Sequence, residues 1–211
     1  MSKHLIKNST DRFSILLMSM AMISLILAGC EDSGSNIPEE SESFISIAKA
    51  PNAVNSQIES YDMQVQRDLA SLRRATAPYH NMEKAIGNNY DTPLTPCWYH
   101  SELGAMGYHY GNMEYLENGE VHLLQPEALM YEPNQSGKYK LVGLEYIVPE
   151  SAWKDDGVPE LMGQPYHLNE TLGLYTLHIW LWKYNPDGLF SSWNPRVSCQ
   201  YADESEDRAG L

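Results

Sequence analysis

Apolar positions along the first third of the chain recur at helical spacing. Ile58, Tyr61, Val65, Leu69 and Leu72 fall three and four residues apart, with Glu59, Asp62, Gln66, Arg67 and Arg73 between them. That period lines one face of an amphipathic helix and predicts packing against a core. Pro78 should end or kink the helix, because it removes a backbone donor, and Thr76 is placed to cap a second one. Tyr79, Met82 and Ile86 continue the stripe until Gly87-Asn88-Asn89 stops it.

Beyond Pro93 and Pro96 the pattern changes. Tyr, Trp, His and Gly become dense and the apolar runs shorten. Tyr139–Val148 reads as a buried strand bounded by Ser136-Gly137 and Pro149. Leu172–Tyr184 is apolar on both faces of a strand and also compatible with a buried helix. The strand is favoured because Asn185-Pro186-Asp187-Gly188, a type I turn sequence suited to a bulged hairpin, comes directly after it. The expected fold is α+β, with N-terminal helices packed on an antiparallel β-sheet or partial barrel.

The N-terminus carries a different pattern. Lys3, Lys7 and Arg12 precede an uncharged apolar run from Phe13 to Leu27, too short for a full membrane span and long enough for a signal sequence. The run closes on Leu27-Ala28-Gly29-Cys30, which resembles the lipobox of bacterial lipoproteins. The resemblance implies cleavage after residue 29 and acylation of Cys30. Several acyl chains, at about 0.8 kcal/mol per buried CH₂, would make a durable membrane anchor. It also implies a periplasm-facing protein of the cell envelope, and Glu31 after the cysteine, with Asp32 next, tilts the sorting toward the outer membrane. Glu31–Ser43 is acidic and Ser-rich and cannot bury enough surface to order itself. The expected organisation is therefore a signal peptide over 1–29, the lipidated cysteine and a flexible tether over 30–53, one domain over 54–200, and an acidic tail over 201–211.

Composition narrows the partners. The chain of 211 residues has 14 basic and 28 acidic residues, a formal charge of −14. Such a surface repels phosphate backbones, so nucleic acid is a poor partner, while a membrane held through lipid, a small ligand or another envelope protein remains compatible. With Cys30 acylated, Cys97 and Cys199 remain. An even pair in an oxidising compartment predicts a disulfide, the alternatives being free thiols or a metal-binding pair.

Further blocks are A-T-A-P-Y-H at Ala75–His80, G-A-M-G-Y-H-Y at Gly104–Tyr110 and P-E-A-L-M-Y-E-P at Pro126–Pro133. L-V-G-L-E-Y-I-V-P at Leu141–Pro149, G-Q-P-Y-H at Gly163–His167, L-H-I-W-L-W at Leu177–Trp182 and W-N-P-R-V-S-C at Trp193–Cys199 complete the series. Together they resemble a family of uncharacterised small exported bacterial proteins. The resemblance covers most of Ala75–Cys199, and Pro78 departs from the uninterrupted helix it leads one to expect. It implies export and brings no activity or catalytic residue.

Candidate chemistry sits in these blocks. His109, His167 and His178 with Glu145 are the residue types a zinc, iron or manganese site uses. Strand alternation would put His178, Trp180 and Trp182 on one face. Glu145 stands inside an apolar strand, an unusual place for a carboxylate unless it is ligating or paired, with Arg196 or Lys140 as the competing ion-pair partners. The histidines have a competing reading as hydrogen-bonded core residues. Trp153, Trp180, Trp182 and Trp193 could line a ligand pocket or simply fill the core. Three functions are compatible with these residues: a lipid-anchored domain binding a small ligand or divalent metal, a metal-dependent enzyme, or an interaction module without a site.

Overall fold

The computed structural model describes residues 50–203. The expected signal peptide, lipidation site and most of the tether lie outside the described residues, as does the acidic tail after Asp203.

Helix α1 spans Ala50–Glu59 and α2 Met63–Thr76, so the single stripe read from the sequence is two helices and the first begins inside the expected tether. Asp62 makes the break. Its carboxylate accepts from the backbone N–H of Gln64 at 2.8 Å and Val65 at 3.0 Å, capping α2. Pro78 ends α2 as expected, in a 3₁₀ turn over Ala77–His80. Thr76 caps no second helix: its hydroxyl donates back to the Leu72 carbonyl at 2.9 Å, and Asn81 caps α3 (Met82–Ile86) instead. Asn89, at φ +65°, turns the chain out of the helical region.

The sheet comes next. Strand β1 runs Thr92–His100 and β2 Gly104–Gly111; a short helix α4 (Met113–Asn118) leads to β3 (Ala128–Pro133) and β4 (Tyr139–Pro149). A small hairpin of β5 (Glu160–Leu161) and β6 (Gln164–Pro165) precedes β7 (His167–Asn169) and β8 (Leu174–Ile179). The six-stranded sheet has the order β1-β2-β3-β4-β8-β7, is antiparallel throughout, and curls into a half-barrel. The fold is α+β. No helix among the described residues is long and apolar enough to cross a membrane.

The main core lies between α2 and one sheet face. Val65, Leu69 and Leu72 pack against a cluster holding Leu129, Tyr131, Leu144, Tyr146, Leu177 and Ile179, and full burial of each leucine stabilises by about 1.5–3 kcal/mol. A second, smaller core joins Cys97, Tyr108, Met130, Val142, Trp180, Val197 and Cys199. Cys97 and Cys199 form a disulfide across 102 positions, as the cysteine count implied. It ties β1 to the irregular segment after β8, which an Ala105–Asn194 backbone bridge and a Lys183–Glu132 ion pair also hold.

Two sequence expectations change here. The strand expected over Leu172–Tyr184 spans only Leu174–Ile179, after which the chain leaves the sheet. Trp182 therefore does not share a strand face with His178; it packs against His80 at 4.4 Å and under the Arg73 guanidinium. The Asn185–Gly188 turn is present, with Gly188 N–H donating to the Asn185 carbonyl at 3.2 Å, yet it joins no second strand. Instead the Trp180 backbone N–H donates to the Leu189 carbonyl at 2.9 Å.

Candidate metal centre

Three strands bring the candidate residues together. Glu145 on β4 pairs directly with His178 on β8, and on its other side with Ala128 on β3. His109 on β2 pairs with Met130, two positions along β3 from Ala128 and on the same face. This is the face opposite Leu129, Leu144 and Ile179, which point into the main core. Ala128, paired with Gly111 on β2 and with Glu145 on β4, is a buried small residue on this face beside the carboxylate.

The candidate side chains meet closely. Nε2 of His109 lies 3.5 Å from one Glu145 oxygen and Nε2 of His178 lies 3.4 Å from the other. The imidazole planes stand at 82° with ring centres 6.0 Å apart. One donor atom from each residue can be chosen so that all lie within 4.8 Å of one another. The residues are only 1 %, 8 % and 4 % exposed for His109, Glu145 and His178. Trp180 lies nearly parallel to the His178 ring.

Neither Nε2 atom has a hydrogen-bond partner, although both are buried. A separation of 3.4–3.5 Å is too long for a strong charge-assisted bond, and a buried polar atom left unpaired costs about 1–3 kcal/mol. The core-histidine reading therefore leaves the inward nitrogens unexplained. The outward Nδ1 of His109 is satisfied, 2.7 Å from the Thr95 hydroxyl on β1. A ring whose Nδ1 donates to that hydroxyl presents a lone pair at Nε2, the arrangement of a metal-ligating histidine held by an outer partner.

Burial sets the protonation states. It pulls the His109 imidazole down to about 4 and the His178 imidazole down to about 3, the latter helped by the neighbouring charges of His109 and His167. It pushes the Glu145 carboxyl up to about 8. Both rings are thus neutral at neutral pH, the form that ligates metal. Zinc bonds of about 2.0–2.1 Å at tetrahedral angles put neighbouring donors about 3.4 Å apart, so a donor set within 4.8 Å would draw in slightly around an ion.

The remaining expectations sort plainly. His167 is not in the triad; it sits exposed at the start of edge strand β7, opposite Thr176. Glu145 pairs with neither Lys140, which is exposed, nor Arg196, which lies over the Tyr184 ring. The tryptophans do not line one pocket: Trp153 donates to the Gly157 carbonyl, Trp193 faces His100, and only Trp180 is next to the triad. Open clefts of about 430 and 480 Å³, one beside His100 and Cys199 and one between Asn118 and Asp155, contain none of the triad residues. Thr95 escapes a reading of the sequence, because nothing local tells which β1 residue faces His109.

Fold and site together define a class: an α+β half-barrel protein with a buried cluster of two histidines and one carboxylate across three strands. Comparison of the chain with protein-family models, with curated proteins and with solved structures gave no match.

Proposed function

We propose that this is a lipid-anchored protein of the bacterial envelope whose folded domain holds a first-row divalent metal ion through His109, Glu145 and His178. The observation that carries the metal reading is the pair of buried, unpartnered Nε2 atoms converging on one buried carboxylate. A divalent ion would satisfy both nitrogens, hold Glu145 as the anion and leave a coordination position for water or another donor. Imidazole and carboxylate suit zinc, iron or manganese. The burial of all three ligands supports holding an ion over turning over a substrate. The anchor rests on the lipobox-like Leu27–Cys30 after its apolar run, and the acidic charge fits a body held at a membrane by lipid rather than by basic residues.

The test is elemental analysis of the full chain, purified without chelator or affinity tag, with zinc, manganese and iron(II) titrations afterwards. His109→Ala and His178→Ala should each lose tight binding. The reading fails if no metal co-purifies and none binds tighter than about millimolar, a level worth only about 4 kcal/mol. Cys30→Ser should abolish acylation, read by mass spectrometry of the N-terminal peptide; the same acylated peptide from the variant would overturn the anchor.

A further inference from the structure

We infer that His167 is the docking ligand through which a metal ion reaches and leaves the buried triad. This rests on the metal reading above and deepens it, giving the site a route. The triad needs one, because its donors are closed off from water. Across the sheet, β1 supports His109 through Thr95, and the second core packs Met130 and Trp180 beside the ligands. On the opposite side the sheet ends at β7, a strand of only three residues.

His167 stands there in a defined relation to the triad. It pairs with Thr176, two residues before His178 on β8, so His167 and His178 project from the same face as diagonal cross-strand neighbours. Such neighbours are about 7–8 Å apart at the backbone and within reach of long side chains. With metal–nitrogen bonds of about 2.0–2.1 Å, two imidazoles so placed can share an ion. His167 is exposed where His178 is buried, so the pair spans from solvent to the interior. A hydrated ion entering from water sheds its shell in steps. His167 replaces the first water, His178 the second, and Glu145 and His109 then take the ion inward as the bond to His167 is released. Loss of the ion runs the same steps in reverse.

A docking ligand changes rates and leaves the equilibrium alone. In the full chain, His167→Ala should slow zinc uptake, monitored by stopped-flow with a competing indicator, and slow zinc loss to excess chelator, both by about tenfold. The zinc Kd should stay at the parent value, because both rates fall together. His122→Ala, at an exposed histidine paired with Glu120, should match the parent in both rates. Unchanged rates in His167→Ala would overturn the proposal and make His167 a surface residue. A Kd weakened tenfold or more would overturn it the other way, as the mark of a permanent ligand. A parent chain that binds no zinc would bring down the metal reading itself, a result separate from either.

Discussion

Glu145→Gln isolates the carboxyl at the centre of the triad. In the metal-free protein burial pushes Glu145 up to about 8 from an ordinary value of 4.5, so the native state holds a proton there that the unfolded state releases. The stabilisation this gives is fully present below 4.5 and is lost as pH rises through about 8. Within that window the loss is about 1.4 kcal/mol per pH unit. Glutamine has the shape and hydrogen-bonding groups of the protonated carboxyl but does not titrate. The buried imidazoles change stability in the opposite sense, and Glu127, also pushed up by burial, in the same sense. Both proteins share those groups, so they cancel in the difference except for the part of the Glu127 shift that Glu145 causes, the smallest of its causes. Urea denaturation in EDTA from about pH 5.5 to 7.5 should therefore show the variant gaining on the parent by about 2–3 kcal/mol across the range. Zinc at about 100 times its Kd should then add about 2.7 kcal/mol to the parent at neutral pH and little to the variant. Parallel pH–stability curves in EDTA would refute the buried, protonated carboxyl. Equal zinc stabilisation of both would refute its role as a ligand.

Ala128→Leu should crowd the buried position directly beside Glu145, costing about 1–3 kcal/mol by overpacking and abolishing zinc binding in titration calorimetry; undiminished binding would show that the ion sits elsewhere. Replacing both Cys97 and Cys199 with Ala should lower stability in urea by about 4–5 kcal/mol, from the loop-closure entropy of a 102-residue separation. A loss under about 1 kcal/mol would mean that the C-terminal segment docks without the covalent bond. Gly107→Ala should cost about 1–3 kcal/mol in the same assay, because Gly107 has φ +88° and an added Cβ would run into the Tyr131 carbonyl. A neutral effect would show that the β2–β3 ladder can open there.

The parts legible in the sequence are those where local chemistry decides. The stripe from Val65 to Leu72 gives away α2, and the apolar run from Tyr139 gives away β4. Glu145 and His178 stand out because polar residues inside such runs are the informative exceptions to burial. Asp62 is visible as a residue but not as a helix break, since a carboxylate on a polar face and an N-cap look alike until the backbone turns. His167 carries the same weight as His109 in the sequence, because the choice between them depends on strand order and register. β8 pairs with β4 on one side and β7 on the other, and that nonlocal pairing sends His178 inward and leaves His167 at the rim. Trp182 falls away from the face expected for it because the strand stops at Ile179, where the Trp180 backbone N–H turns to the Leu189 carbonyl instead.

Thr95 and Cys97 lie two residues apart on β1 with Pro96 between them and Pro93 just before, and the register with β2 slips on both sides of Thr95. Prolines cannot donate to a ladder, so Pro93 and Pro96 each take one backbone donor out of β1. The covalent bond from Cys97 to Cys199 adds a fastening of another kind, two residues from the hydroxyl that orients His109. The backing of His109 is thereby partly covalent, since the strand that carries Thr95 is fastened two residues away to the C-terminal segment. Reduction would remove that fastening and leave the strand behind His109 held by its pairing with β2 and by the packing of the second core.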